Sequence, residues 1–149
     1  GEPGVFFFSL EASSLLAVKA ARWGWGLPYH HASMSVEPKA GSFDYRSKRR
    51  DDPTAAFRAR YEPGALLPPS APGSFEFFLL ERYYLFAVRR GRVSKGHVHH
   101  APYPVREVSV AALEDGLIEA AGLPNVNQIP PVAHFSEGVD VEIYGPWKV

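Results

Sequence analysis

Apolar and polar positions along this chain repeat mostly every second residue, with three short stretches where the repeat lengthens to that of a helix. The run Val5-Phe6-Phe7-Phe8-Ser9-Leu10 is apolar, aromatic-rich and of strand length, and predicts a central buried strand. Leu15, Leu16, Val18, Ala21 and Trp23 then form a broad apolar stripe against Lys19 and Arg22, the pattern of an amphipathic helix. Ser13 or Ser14 can cap it, Gly24 and Gly26 stop it, and Pro28 holds Leu27 extended.

From Tyr29 the alternation is strict. Tyr29, His31, Ser33 and Ser35 share one face, and His30, Ala32, Met34 and Val36 the other. A turn over residues 38–42 leads to a strand over 43–50, and a second turn at Asp51-Asp52-Pro53 to a strand over 56–62, an antiparallel meander. Residues 63–73 hold four prolines and two glycines and predict a surface loop. Ser74 caps a short helix over 75–81, with Glu76 and Glu81 toward solvent. A hairpin over 83–89 and 92–99 follows, then a strand over 106–110, a short helix over 114–121 and a last strand over 132–144. The sum is a mainly β chain of α+β class, an antiparallel sheet closed as a barrel with two or three short helices outside.

Composition narrows the setting. With 149 residues, 46% of them apolar, the chain fits one domain able to bury a core. Sixteen basic and sixteen acidic side chains cancel, so the many phosphate-neutralising cations of a non-specific nucleic-acid binder are missing. The absence of cysteine excludes disulfides, thiolate zinc sites and cysteine nucleophiles. No apolar run approaches the roughly 20 residues that span a bilayer, and Gly1-Glu2-Pro3-Gly4 lacks a signal-peptide pattern. These features predict a soluble cytoplasmic protein with no nucleic-acid or membrane partner and no cofactor; a homo-oligomer stays open. A strongly apolar strand beginning at Val5, in a chain without an initiator Met, points to a section missing upstream.

Several clusters carry candidate chemistry. His30-His31 and His97-Val98-His99-His100 hold five of the six histidines, and three imidazoles can hold zinc with one position open to water. Without an HExxH helix or a carboxylate partner, the simpler reading is side chains at strand ends, and no metal site is predicted. In the basic run Arg46-Ser47-Lys48-Arg49-Arg50, alternation sends Arg49 opposite to Arg46, Lys48 and Arg50. Arg46 or Arg49 can fork onto a ligand carboxylate; the plainer alternative is a solvated strand face balanced by Asp51 and Asp52. Glu81-Arg82-Tyr83-Tyr84 is either an ion pair pinning a helix-to-strand junction or a buried carboxylate with a raised pKa. Tyr29 either donates a hydrogen bond to a ligand or simply packs its ring. No nucleophile elbow, phosphate loop or dinucleotide fingerprint is present.

The segments Gly4-Val5-Phe6-Phe7-Phe8-Ser9-Leu10-Glu11-Ala12, Ala20-Ala21-Arg22 and Leu27-Pro28-Tyr29-His30-His31-Ala32-Ser33-Met34 form an ordered set. Tyr45-Arg46-Ser47, Pro72-Gly73-Ser74, Leu80-Glu81-Arg82-Tyr83, His100-Ala101-Pro102-Tyr103-Pro104 and His134-Phe135-Ser136 continue it. The whole set resembles the DUF2071 (YqjF-like) family of uncharacterised bacterial proteins, over essentially all of residues 1–149. Members continue upstream, so the resemblance implies a single domain matching about the last two thirds of a full member. The family is similar in fold to acetoacetate decarboxylase, a closed β-barrel whose interior holds a Schiff-base lysine after a Gly-x-Pro motif. A second lysine beside it disfavours the charged amine and leaves a nucleophile. Gly26-Leu27-Pro28 matches that lead-in, but Tyr29 and His30 follow, and neither forms an imine. Lys48 has cationic neighbours, but on a strand face exposed to solvent.

Three readings of function follow. The first is a pocket for a small carboxylate or oxo-acid in a decarboxylase-like barrel without its lysine. Tyr29, His30, His31, Arg46, Glu81, Arg82 and Tyr83 would bind the ligand, and Tyr29, His31, His99 and His100 are candidate catalytic groups. The second is a non-catalytic interaction module that uses the proline loop as a contact surface. The third is a histidine-ligated metal hydrolase.

Overall fold

The computed structural model describes residues 3–125 and 128–149. The Gly1-Glu2 part of the start considered above lies outside them. The predicted first strand divides. Val5–Phe6 (β1) and Leu10–Ala12 (β2) are separated by a bend at Phe8, and each joins a different sheet. Ser14 caps the helix Leu15–Ala20 (α1), its hydroxyl accepting from the Ala17 amide at 3.2 Å. A π-helical turn, Ala21–Trp25, extends α1 and ends at Gly26 in the left-handed region, φ 71°.

The meander forms as predicted, with its first and third strands longer. Tyr29–Lys39 (β3), Ser42–Arg49 (β4) and Ala56–Leu66 (β5) pair antiparallel in sequence. Phe75–Leu80 (α2) follows, capped by Ser74. Tyr84–Arg89 (β6) and Arg92–His100 (β7) make the hairpin. Arg106–Asp115 (β8), Leu117–Ala120 (α3), His134–Phe135 (β9) and Val141–Lys148 (β10) complete the chain.

Two sheets result, β1-β6-β7-β10 and β2-β3-β4-β5-β8-β9. Two expectations are corrected here. Both sheets are mixed, because β1 runs parallel to β6 and β2 parallel to β3. The six-stranded sheet curls into a half-barrel, and no closed barrel is formed among the described residues. The two short halves of the split first strand each add to the edge of a separate sheet. Among the described residues, no helix is long and apolar enough to cross a membrane.

The buried apolar positions are mostly small, including Ala32, Ala55, Ala59 and Ala87 with Val18, Leu85 and Val105. Trp25 crosses onto the four-stranded sheet at Gly96, where any Cβ would lie 2.5 Å from the indole Cζ3. The α1 segment therefore joins the two sheets: Val18 is buried beside the β2–β3 edge, and its π-turn packs on β6 and β7.

Two ion-pair systems, each with a buried charged side chain, tie β4 to β2 and to β5. Arg49 and Glu11, 5% and 12% exposed, meet at 2.7 Å (Nη2) and 2.9 Å (Nε), and Arg49 also donates to the Ser9 hydroxyl. On the opposite face Arg46 and Arg58 stand directly across from each other, a repulsive arrangement in isolation. Asp44, fully buried between them, accepts from Arg58 at 3.2 and 3.0 Å and from Arg46 at 3.2 and 3.1 Å. The hydrogen bonds from Arg58, then Arg46, hold the Asp44 carboxyl well below its ordinary value of 3.8, against the opposing cost of burial. A depressed native pKa stabilises the fold fully above the unfolded value, and the gain is lost as pH falls from there through the native value. Acid titration of unfolding is therefore expected to show a stability loss below about pH 4 that Asp44→Asn removes. An unchanged acid limb in the variant would show that Asp44 does not set it.

Candidate functional site

The ladder between β5 and β8 ends where the prolines begin. After the Leu66–Arg106 pair it makes one more bond, from the Leu67 amide to the Val105 carbonyl at 2.8 Å. Pro68, Pro69, Pro102 and Pro104 have no amide hydrogen to donate, so the two segments part instead of pairing further. The helix α2 closes the gap. Between residues 66–71, α2 and residues 102–105 lies an open cavity of about 730 Å³. Its walls are mainly apolar: Leu66, Leu67, Phe77, Leu80, Val105 and prolines. Glu76, Glu81, Tyr103, Ser70 and Ser74 supply the polar groups.

Glu81 at the end of α2 is the centre of its chemistry. Its carboxylate accepts the Tyr83 hydroxyl in a short hydrogen bond. That bond, then burial and the charge of Glu81, push the Tyr83 phenol up to about 12, so it stays protonated and serves as a fixed donor. The Tyr83 and Tyr103 rings both lie tilted against the buried His100 ring, with centroids 4.9 and 4.6 Å away. The His100 Nδ1–H donates to the Ala101 carbonyl at 2.8 Å. Arg82 turns away, its guanidinium 4.4 Å from the Phe78 ring centroid and Nη1 donating to the Glu81 carbonyl.

The structure thus gathers Glu81, Tyr83 and His100, with Arg82 alongside, and places the other predicted residues elsewhere. The His31 Nε2 contacts the Ser13 carbonyl at 3.2 Å, beside the start of α1. The His30 Nδ1 is buried without a hydrogen bond among the described residues, 3.9 Å from an Asp51 oxygen. Tyr29 pairs with Leu10 at the β2–β3 edge. Arg46 is engaged by Asp44, and Arg49 by Glu11. His99 is exposed on β7, opposite Glu142. Among the described residues, no three His, Asp or Glu side chains are grouped closely enough to hold a metal ion. A smaller cavity, about 280 Å³, touches Gly26 and Pro28 but is otherwise lined by phenylalanines and by Ala87 and Val88; neither Tyr29 nor His30 lines it.

Sequence reasoning passed over Tyr103, Phe77 and Leu80 and set Glu76 toward solvent. A signal was present: two proline-bearing segments, 68–72 and 102–104, bracket a short apolar helix, and their prolines have no amide to give to a ladder.

Comparison with known proteins agrees with the resemblance. The family model DUF2071, described as an uncharacterized conserved protein, matches residues 1–140. The chain belongs to the DUF2071 family. It is similar to the uncharacterized protein YqjF of Bacillus subtilis (strain 168), with 33% identity over 141 residues and 95% of this chain covered. The chain spans 58% of the length of that relative. No solved structure matches it. Within this DUF2071 chain, Glu81 and Tyr83 lie in one of the ordered family segments, and His100 and Tyr103 in another.

Proposed function

We propose that this DUF2071 protein binds a small, largely apolar molecule in the cavity between residues 66–71, α2 and residues 102–105. The observation that carries the reading is the cavity itself. About 730 Å³ falls within the range of small-molecule sites, roughly 300–1,000 Å³. Its apolar walls converge on a few oriented polar groups, the usual composition of such sites. A carboxylate or oxo-acid fits this lining poorly, since no cation lines the cavity and Glu76 and Glu81 would oppose a second anion. The proposal is one of binding and names no reaction.

Methyl-resolved NMR of the full chain, titrated with 3-phenylpropan-1-ol, tests it. The Leu66, Leu67, Leu80 and Val105 methyl signals are expected to shift saturably, and Ala71→Trp, which fills the cavity, to abolish the shifts. Absence of saturable shifts at these methyls, or shifts unchanged in Ala71→Trp, would overturn the reading.

A further inference from the structure

We infer that the ligand of this cavity is an apolar amine, bound as its ammonium ion against Glu81. The inference rests on the cavity being a ligand site, and it is drawn from the charge of its walls. Two carboxylates, Glu76 and Glu81, line the cavity, and among the described residues no lysine, arginine or histidine does. Glu81 accepts one hydrogen bond, from Tyr83 to Oε2, and Oε1 accepts none among the described residues. The arginines that directly follow lining residues, Arg82 and Arg106, donate through Nη1 to the Glu81 and Gly64 carbonyls at 3.1 and 3.2 Å, and neither pairs with the Glu81 carboxylate among the described residues. Arg82 also lies against the Phe78 ring.

A carboxylate beside apolar walls is incompletely solvated and has no internal counter-ion, so a ligand cation finds both charge and acceptor in place. The Tyr83 hydroxyl cannot substitute for that cation: it is neutral, and it fixes the direction of the carboxylate without discharging it. Phe77 and Tyr103 add ring faces that favour an ammonium over a neutral group of the same shape. The remaining walls, leucines and prolines, suit a hydrocarbon or aryl body attached to it.

The test compares two molecules of equal heavy-atom count, 3-phenylpropan-1-amine and 3-phenylpropan-1-ol, by calorimetric titration of the full chain. The amine is expected to bind about tenfold tighter, the size of one charge-assisted hydrogen bond. Glu81→Gln is expected to bring the amine to the affinity of the alcohol. The glutamine carbonyl can still accept from Tyr83, and an unchanged unfolding transition would confirm an intact fold. Equal affinity of amine and alcohol, or a preference that survives Glu81→Gln, would overturn the amine inference while leaving the cavity as a site. Binding of neither compound would overturn the cavity reading, and this inference with it.

Discussion

Arg49→Met is expected to lower the unfolding free energy by about 3–5 kcal/mol, the usual cost of breaking a buried ion pair from one side. The magnitude comes from what remains: Glu11 keeps its charge at 12% exposure, and its two short bonds to Arg49 are gone. Ser9 also loses its donor. The Ser9 hydroxyl still donates to Glu11 Oε1 at 3.1 Å, but it is neutral and leaves the charge uncompensated. In thermal denaturation the loss corresponds to a fall of roughly 6–20 °C for a chain of this size. Glu11→Leu combined with Arg49→Met is expected to recover most of it, because an apolar pair leaves no stranded charge. Urea denaturation of both single variants and the double variant closes the cycle. A loss under about 1 kcal/mol for Arg49→Met would mark the pair as effectively solvated. The consequence reaches past local packing, since this pair ties the edge strand β2, just after the bend that divides the first strand, across β3 to the end of β4.

Gly26→Ala carries the second large effect, roughly 2–5 kcal/mol. It combines about 1–2 kcal/mol for a left-handed alanine with about 1–3 kcal/mol for overpacking. The backbone at Gly26 has φ 71°, and an added Cβ would lie 2.8 Å from the Val88 carbonyl oxygen and 2.9 Å from the Arg89 Cβ. These neighbours are a strand of the other sheet, so relief requires the π-turn to lift away from β6. Gly41 supplies the internal control, with φ 91° and nothing within 4 Å of a built Cβ. Gly41→Ala is expected to cost only the conformational part, about 1–2 kcal/mol. Equal losses in the two variants, measured by chemical denaturation, would show that the contact with Val88 and Arg89 contributes nothing. A further consequence is that Gly26 belongs to the packing of two sheets, which accounts for its place before Pro28 without any catalytic lysine.

Much of the fold was legible because period-two alternation and turn chemistry act locally. The separation of Arg46 from Arg49, the face shared by Phe43 and Tyr45, and the Ser14 and Ser74 caps all follow from residues a few positions apart. The strand ends were less legible. β5 runs on to Leu66, through Pro63, because it has left β4 by then and Pro63 sits where one side of the strand is unpaired. The site was legible in part: Glu81, Tyr83 and His100 were singled out as chemistry-bearing, but their meeting depends on α2 and on the segment 102–105. Tyr29, His31, Arg46 and His99 looked equally reactive in one dimension, and the register disperses them.

By itself, then, the sequence determined the β-rich class, the meander and its two faces, the helix caps and the membership of DUF2071, each readable from local pattern or from ordered motifs. Only the tertiary structure decided that the first strand serves two sheets, that Arg46 and Arg49 fork onto carboxylates of their own chain, and that a cavity opens where the β5–β8 ladder stops. The physical reason is the same in each case. Strand pairing, ion pairing and cavity formation depend on the partner that long-range packing supplies, and no local period in the chain encodes that partner.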